Sequence, residues 1–400
     1  MSERILDTVI VGGGPAGATA AQELALAGRQ VLLLDRAGRP KPCGGAIPPR
    51  LIKDFAIPDH LLVAKIRSAR MVSPASREVD MPIDGGFVGM VDRAPFDEWL
   101  RSRAAEAGAE RVSGRYLRAS YEGSGLVRVY FSRNDADDAG TAEASVLTRT
   151  LVGADGAASM VAKEHVPGAG KARQVAAYHE IVRTPATVDG RAFDGNRCDV
   201  WYQGEVSPDF YGWVFPHGET TSIGVGSAQR GYSLRQGVNR LRSRTGLADA
   251  VTVRREGAPI PMKPLRRWDD GRAVLVIGDA AGVVAPASGE GIYYAMASGR
   301  FAADALDRLL TTGDARQLAT VRRQFMAEHG RVFWVLGMMQ YFWYSSDARR
   351  ERFVKMCADP DVQRLTWQAY MHKQLVRTDP MAHLRIFLKD TAHLLGLGRA

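Results

Sequence analysis

The chain has three cysteines in 400 residues, Cys43, Cys198 and Cys357. They are too scattered and odd in number for a disulfide framework, and their spacing is not that of a zinc site. A reducing cytoplasmic setting is therefore expected. No run reaches the roughly 18 apolar residues of a spanning helix. The nearest, VFWVLGMMQYFWYSS at 332–346, suits contact with a membrane surface better than passage across it. A secretory leader is not expected, because the first hydrophobic run leads directly into a glycine turn. Lysine and arginine exceed the acids by 53 to 44, a net charge of +9, yet no basic block is present. That scatter argues against a nucleic-acid partner and for anionic headgroups, an acidic substrate or a merely solvated basic surface. Core-forming residues are not scarce: 46% of the chain is hydrophobic, enough for two or three domains.

The strongest positive signal is at 8–36, TVIVGGGPAGATAAQELALAGRQVLLLDR. A β-branched run enters Gly12, Gly14 and Gly17, an alanine-rich helix follows, and a second buried strand ends at Asp35. In this pattern one glycine makes the turn, one admits a pyrophosphate and one lets the helix pack on the sheet. The helix start offers N–H groups and a positive dipole end to phosphate, and Asp35 suits a ribose hydroxyl. A dinucleotide-binding unit is expected. No second fingerprint of this kind occurs.

Two later stretches return to the same theme. LVGADGAAS at 151–159 sets Asp155 at a strand's carboxyl end, where ligands of α/β sheets lie. RAVLVIGDAAGVVAPASGEG at 272–291 does so again with Asp279, then leads through Gly289 and Gly291 into a helix of small residues. That helix start can face a ring that gains negative charge on reduction. Between these lie a helical pattern at 91–108, with Arg93 open to a cofactor phosphate or ribityl role or to a plain surface one, and a strand meander at 111–150 with a polar tip at 134–145. Cys43 lies in the glycine–proline loop KPCGGAIP at 41–48, either functional or simply a small buried side chain. From 166 to 270 the pattern is β-rich and aromatic. Tyr211, Trp213 and Phe215, two apart, share one strand face, which is either core or the wall of an apolar pocket. The remainder reads as helical.

Taken together, GGGPAG, GADG and GDAAG with PASGEG resemble the FAD-dependent group that contains p-hydroxybenzoate hydroxylase, over about the first 300 residues. KPCGGAIP together with Pro208-x-x-Tyr211-x-Trp213-x-Phe215-Pro216 narrows the resemblance to the geranylgeranyl reductase family, chlorophyll and bacteriochlorophyll branch. The resemblance implies an α/β fold: a discontinuous Rossmann-like FAD-binding domain (1–65, 91–165, 272–315), a mainly antiparallel β domain for a prenyl substrate (66–90, 166–271) and a C-terminal helical region (316–400). It implies that Gly12, Gly14 and Gly17 hold the FAD pyrophosphate and Asp35 the adenosine ribose. Asp279 would take the ribityl chain, and Gly289 and Gly291 would set N–H groups by the flavin. Asp155 is expected near the pyrophosphate or the nicotinamide cofactor. Tyr211, Trp213 and Phe215 would line the prenyl pocket, with Cys43 at its flavin end.

The implied reaction is FAD-dependent saturation of isolated double bonds in a geranylgeranyl chain, carried as a diphosphate or a pigment ester, to phytyl. NADPH is the implied hydride source, with reduced ferredoxin as the other donor. Cys43, Tyr211 and an ordered water stand as proton donors. Partners would be the prenylated pigment or prenyl diphosphate, other pigment-biosynthesis enzymes and, peripherally, the cytoplasmic face of a photosynthetic membrane. Rival readings are a flavin-dependent aromatic monooxygenase, an archaeal-type lipid reductase and a prenyl-binding escort without chemistry. A flavin halogenase is disfavoured by the lack of a Trp-x-Trp-x-x-Ile segment.

Overall fold

The structure is a computed structural model that describes residues 4–36, 41–123, 125–133, 143–185 and 193–373. The polar tip expected at 134–145 falls, up to 142, outside the described residues, as does the helical pattern beyond 373. In chain order the elements are β1 (Ile5–Val11), α1 (Pro15–Leu26), β2 (Val31–Asp35), β3 (Ala46–Ile47), α2 (Pro49–Asp54), β4 (Leu62–Ile66), β5 (Ser68–Val72), β6 (Glu78–Pro82) and β7 (Val88–Val91). Then come α3 (Arg93–Glu106), β8 (Glu110–Tyr121), β9 (Val127–Arg133), β10 (Glu143–Gly153), α4 (Met160–His165), β11 (Gln174–Arg183), β12 (Arg197–Trp201), β13 (Gly212–His217) and β14 (Thr220–Ser227). The last are α5 (Leu234–Arg244), β15 (Thr252–Pro261), β16 (Val274–Val276), α6 (Ile292–Thr312), α7 (Leu318–Trp343), α8 (Asp347–Met356) and α9 (Pro360–His372).

Two compact units form, each from three stretches of chain. The first takes Met1–Cys43, Arg93–Gln174 and Pro259–Gly330, the second Gly44–Asp92, Val175–Ala258 and Arg331–Ala400. From Arg331 onward the chain thus groups with the second unit.

In the first unit, parallel pairing runs β8–β2–β1–β10–β16. The chain order reverses between β1 and β10, which makes the carboxyl ends of those strands a topological switch point, the usual ligand position in such sheets. Strands β1 and β2 are buried almost throughout, so both read as continuous apolar runs. In the same sheet the carboxyl part of β8 and the amino part of β10 pair antiparallel with β9. Helix α6 packs on α1 because Gly299 lets backbones meet: a Cβ there would lie 2.6 Å from the Ala16 carbonyl oxygen.

In the second unit, a seven-stranded sheet has the order β15-β11-β14-β13-β12-β5-β6. It is largely antiparallel, as read from sequence, but β12 and β5 run parallel. A helix not read from sequence, α5, covers one face. Ser233 caps it, accepting from the Gln236 N–H at 3.3 Å, and Val238 and Leu241 close over Val206, Val214, Ile223 and Val225. The alternation of β13 leaves Trp213 and Phe215 on the opposite face. Phe215 packs there with Ile66, Val88, Met90 and Cys198 and with Trp367 and Met371 of α9. No described helix is long and apolar enough to cross a membrane. One surface stripe on α7 is nevertheless apolar: Trp334 is 69%, Met338 51% and Tyr341 81% exposed.

Candidate active site

The turn from β1 into α1 is built for close approach. Gly12 has φ +105°, and a Cβ on it would lie 2.3 Å from the Ala154 carbonyl oxygen, so the GGGPAG and GADG segments abut at the switch point. A Cβ on Gly17 would lie 1.9 Å from the Gly12 carbonyl oxygen. Gly14 is the N-cap of α1, no side chain among the described residues caps it, and beyond its own helix no described atom comes within 4 Å of where its Cβ would stand. These features fit a pyrophosphate: an uncapped helix start with open space before it. Asp35 ends β2 and takes the Gly13 N–H and the Arg101 guanidinium, the latter at 3.1 Å. Burial pushes its carboxyl above the ordinary range against those two donors. Arg101 also donates to the Gly13 carbonyl at 3.3 Å. Nothing in the sequence singled Arg101 out, because the pairing is made by folding α3 against the end of β2.

At the end of β16, Asp279 forms a salt bridge with Lys41, and both side chains are largely covered. Lys41 went unremarked in the reading of KPCGGAIP, although it opens that motif. Gly291 caps α6, and a Cβ on it would lie 3.6 Å from Asp279 Oδ1. Gly289 departs from expectation: its N–H already donates to the Ala285 carbonyl at 3.0 Å, so it closes the loop and does not present that N–H outward. The α6 start is also partly satisfied from within, since Glu290 Oε1 accepts the Tyr293 N–H at 3.2 Å. Asp155 likewise spends both oxygens locally, taking the Ser159 hydroxyl at 2.5 Å and the Met160 N–H at 2.7 Å. It caps the first turn of α4, and burial raises its pKa despite these donors. A cavity of about 130 Å³ lies beside it, lined by Ser159, Lys163, Gln174, Asp279 and Gly282 among others.

Arg93 begins α3 and is not a surface residue: it is 6% exposed and forks onto Asp97 at 2.9 and 2.8 Å. Burial would strip its charge, but Asp97 and Cys43 outweigh that and hold the guanidinium above its ordinary value. The fork is therefore spent on Asp97 and the Cys43 thiol. None of the three cysteines is in a disulfide, and Cys43 is the one that is not fully buried.

In the second unit the aromatic row forms as its spacing implies. The Tyr211 and Trp213 ring centroids are 6.1 Å apart, and those of Trp213 and Phe215 6.4 Å. Tyr211 also stacks on Phe210 at 4.3 Å. Against this row lies the glycine pair that follows Cys43. A Cβ on Gly44 would meet the Phe215 ring at 3.1 Å, and one on Gly45, where φ is +70°, would lie 2.6 Å from His217 Nε2. Gly44 and Gly45, more than 160 residues from the aromatic row in sequence, are thus its neighbours in the second unit. His217, beyond the motif as read, donates its Nδ1–H to the Phe215 carbonyl at 2.9 Å. Burial lowers its pKa, so the imidazole is neutral at pH 7.

Comparison with known proteins bears on what this surface and cradle are for. Residues 6–189 match the family model described as pyridine nucleotide-disulphide oxidoreductase, and residues 219–391 that of lycopene cyclase protein. The chain is 56% identical to the geranylgeranyl diphosphate reductase of Rhodobacter capsulatus, over 98% of both chains. It is 38% identical to the chloroplastic geranylgeranyl diphosphate reductase of Oryza sativa subsp. japonica, over 98% of this chain and 87% of the relative. In fold it is like the crystal structure of a geranylgeranyl bacteriochlorophyll reductase-like protein from Thermoplasma acidophilum, with a TM-score of 0.80 at 19% identity, covering 99% of this chain and 100% of that one. Through its whole-length identity to the bacterial and plant enzymes, the chain belongs to the geranylgeranyl diphosphate reductase family of FAD-dependent oxidoreductases.

Proposed function

We propose that this protein saturates isolated double bonds of a geranylgeranyl chain, borne by a diphosphate or a pigment ester, to give phytyl, with NADPH as the reductant. The observation that carries the reading is the seating of Gly44 and Gly45 on Phe215 and His217, which sets the glycine pair of KPCGGAIP against the aromatic row within the second unit. FAD would be held by the GGGPAG turn, Asp35 and Asp279, and when bound and reduced it supplies hydride.

A trisubstituted alkene without a neighbouring carbonyl does not accept hydride alone. A proton must reach the less substituted carbon as hydride arrives, leaving positive charge at the tertiary carbon in between. The faces of Tyr211, Trp213 and Phe215 suit that charge, at about 0.5–2 kcal/mol per cation–π contact. Arg93 steadies the Cys43 thiol, which stands with Tyr211 as proton donor to the alkene. The exposed Trp334, Met338 and Tyr341 stripe on α7 would meet anionic lipid, where a long prenyl substrate resides.

The test is turnover by FAD-loaded protein with NADPH or NADH on geranylgeranyl diphosphate and on a geranylgeranyl pigment ester, read by mass spectrometry as two hydrogens gained per double bond. A hydroxylated product with matched oxygen use would sink the reading in favour of a monooxygenase. Full turnover by Cys43→Ala would remove that thiol as proton donor, and unchanged vesicle binding by Trp334→Ser/Tyr341→Ser would remove the lipid contact.

A further inference from the structure

The sheet face that bears the aromatic row also bears a buried polar chain that the reaction above does not use. Across β11, β14 and β13, His179, Gly224 and Trp213 are paired neighbours. A Cβ on Gly224 would lie 2.2 Å from Trp213 Cζ2, so the glycine makes room for the indole to lie over β14. Trp213 Nε1 donates to Ser222 Oγ at 3.1 Å, Ser222 Oγ is 2.9 Å from His179 Nδ1, and His179 Nε2 is 2.9 Å from Glu256 Oε2. Ser222 is fully buried and His179 3% exposed.

Donor arithmetic orders these contacts. An indole N–H can only donate, so Ser222 Oγ accepts from Trp213. The Glu256 carboxylate can only accept, so His179 carries its proton on Nε2 and donates it to Glu256, and in the neutral ring Nδ1 is then left to accept the Ser222 hydroxyl proton. Every bond points the same way, from the indole to the carboxylate, and bonds so aligned reinforce one another. Arg254 pairs with the other Glu256 oxygen. Burial alone would neutralise Glu256, but His179 and Arg254 outweigh it and hold the carboxyl below its ordinary value. The serine, histidine and glutamate are not a hydrolytic triad, because Ser222 is sealed from solvent and its oxygen already accepts the indole proton.

We propose that Ser222, His179 and Glu256 are positioning residues for Trp213, fixing its indole plane and drawing on its N–H so that the ring face is richer in electrons toward a positively charged prenyl carbon. The proposal rests on the reductase reading given above. Pulling an N–H toward an anion-terminated chain leaves negative charge on the ring, which strengthens attraction to a cation over its face.

The indole 1H–15N resonance of Trp213, assigned in FAD-loaded protein by its loss in Trp213→Phe, tests this together with steady-state kinetics on geranylgeranyl diphosphate. Glu256→Gln keeps shape and removes charge, and Ser222→Ala removes the acceptor. Both should move the resonance upfield and lower kcat roughly three- to thirtyfold, with KM within about twofold. An unmoved resonance in Ser222→Ala overturns the relay, whatever the kinetics. A shifted resonance with unchanged kcat overturns its link to the reaction. Wild-type protein that never reduces the prenyl chain overturns the reductase reading instead, while the resonance still reports on the relay.

Discussion

Arg101 Nη1 lies 3.1 Å from Asp35 Oδ2, tying α3 to the end of β2. Asp35 is the acid expected at a ribose hydroxyl, and Arg101 offsets part of the cost of keeping it ionised while largely covered. Arg101→Met should therefore weaken FAD binding about three- to tenfold, the scale of one charge-assisted hydrogen bond. Flavin fluorescence titration measures this, and unchanged affinity would show that the pair does not serve the site.

Lys41 and Asp279, 238 residues apart in sequence, are joined in the same unit. Asp279→Asn should cost more FAD affinity than Lys41→Met, because the acid is expected at the ribityl chain and the lysine acts through it. A double-mutant cycle should show coupling, since partners in contact are not additive. Strict additivity would count against the pairing.

The Arg93–Asp97 pair is buried on both sides, at 6% and 5% side-chain exposure. Arg93→Met strands an unpaired carboxylate and should destabilise the protein by about 3–5 kcal/mol. Arg93→Met/Asp97→Leu should recover most of that in denaturant unfolding. Recovery of stability without recovery of turnover would confirm that Arg93 also serves Cys43.

At Gly45 an alanine meets two penalties: the left-handed backbone, with φ +70°, and a Cβ 2.4 Å from the Val91 carbonyl oxygen. Gly45→Ala should lose roughly 2–4 kcal/mol. Gly44→Ala should be milder, because the Phe215 ring it meets at 3.1 Å can shift. Thermal unfolding of the two variants, side by side, checks the order.

Asp155 gives a pH signature. Its carboxyl is pushed above the unfolded value of 3.8 by burial, so its contribution is most favourable below that value and is lost as pH rises through the folded pKa. Asp155→Asn retains an oxygen for the Met160 N–H and lacks the charge. Relative to wild type the variant should be more stable at pH 7 than at pH 4. A difference independent of pH would mean that Asp155 keeps an ordinary pKa in the fold.

Local patterns carried the nucleotide half of this protein. Glycines before a helix, apolar β-branched runs and acids at strand ends are consequences of backbone geometry within a few residues, so the turn at Gly12, Gly14 and Gly17 and the place of Asp35 at a strand end could be read from the chain. The two-residue period likewise put Tyr211, Trp213 and Phe215 on one face. Gly289 shows the limit of such reading. Its place before a helix suggested an outward N–H, but the loop folds back and uses that group on Ala285.

The sequence by itself determined the strands and helices around the glycine turn and the aromatic face, though not α5, because period and turn chemistry act over short range. Only the tertiary structure decided which side chains meet. Arg101 reaches Asp35, Lys41 reaches Asp279, Gly45 lies against His217, and His179 links Glu256 to Ser222 beneath Trp213. Each partner there is selected by strand order and register, which bring together residues from distant stretches, and the burial of those contacts then forces every polar group to find its match.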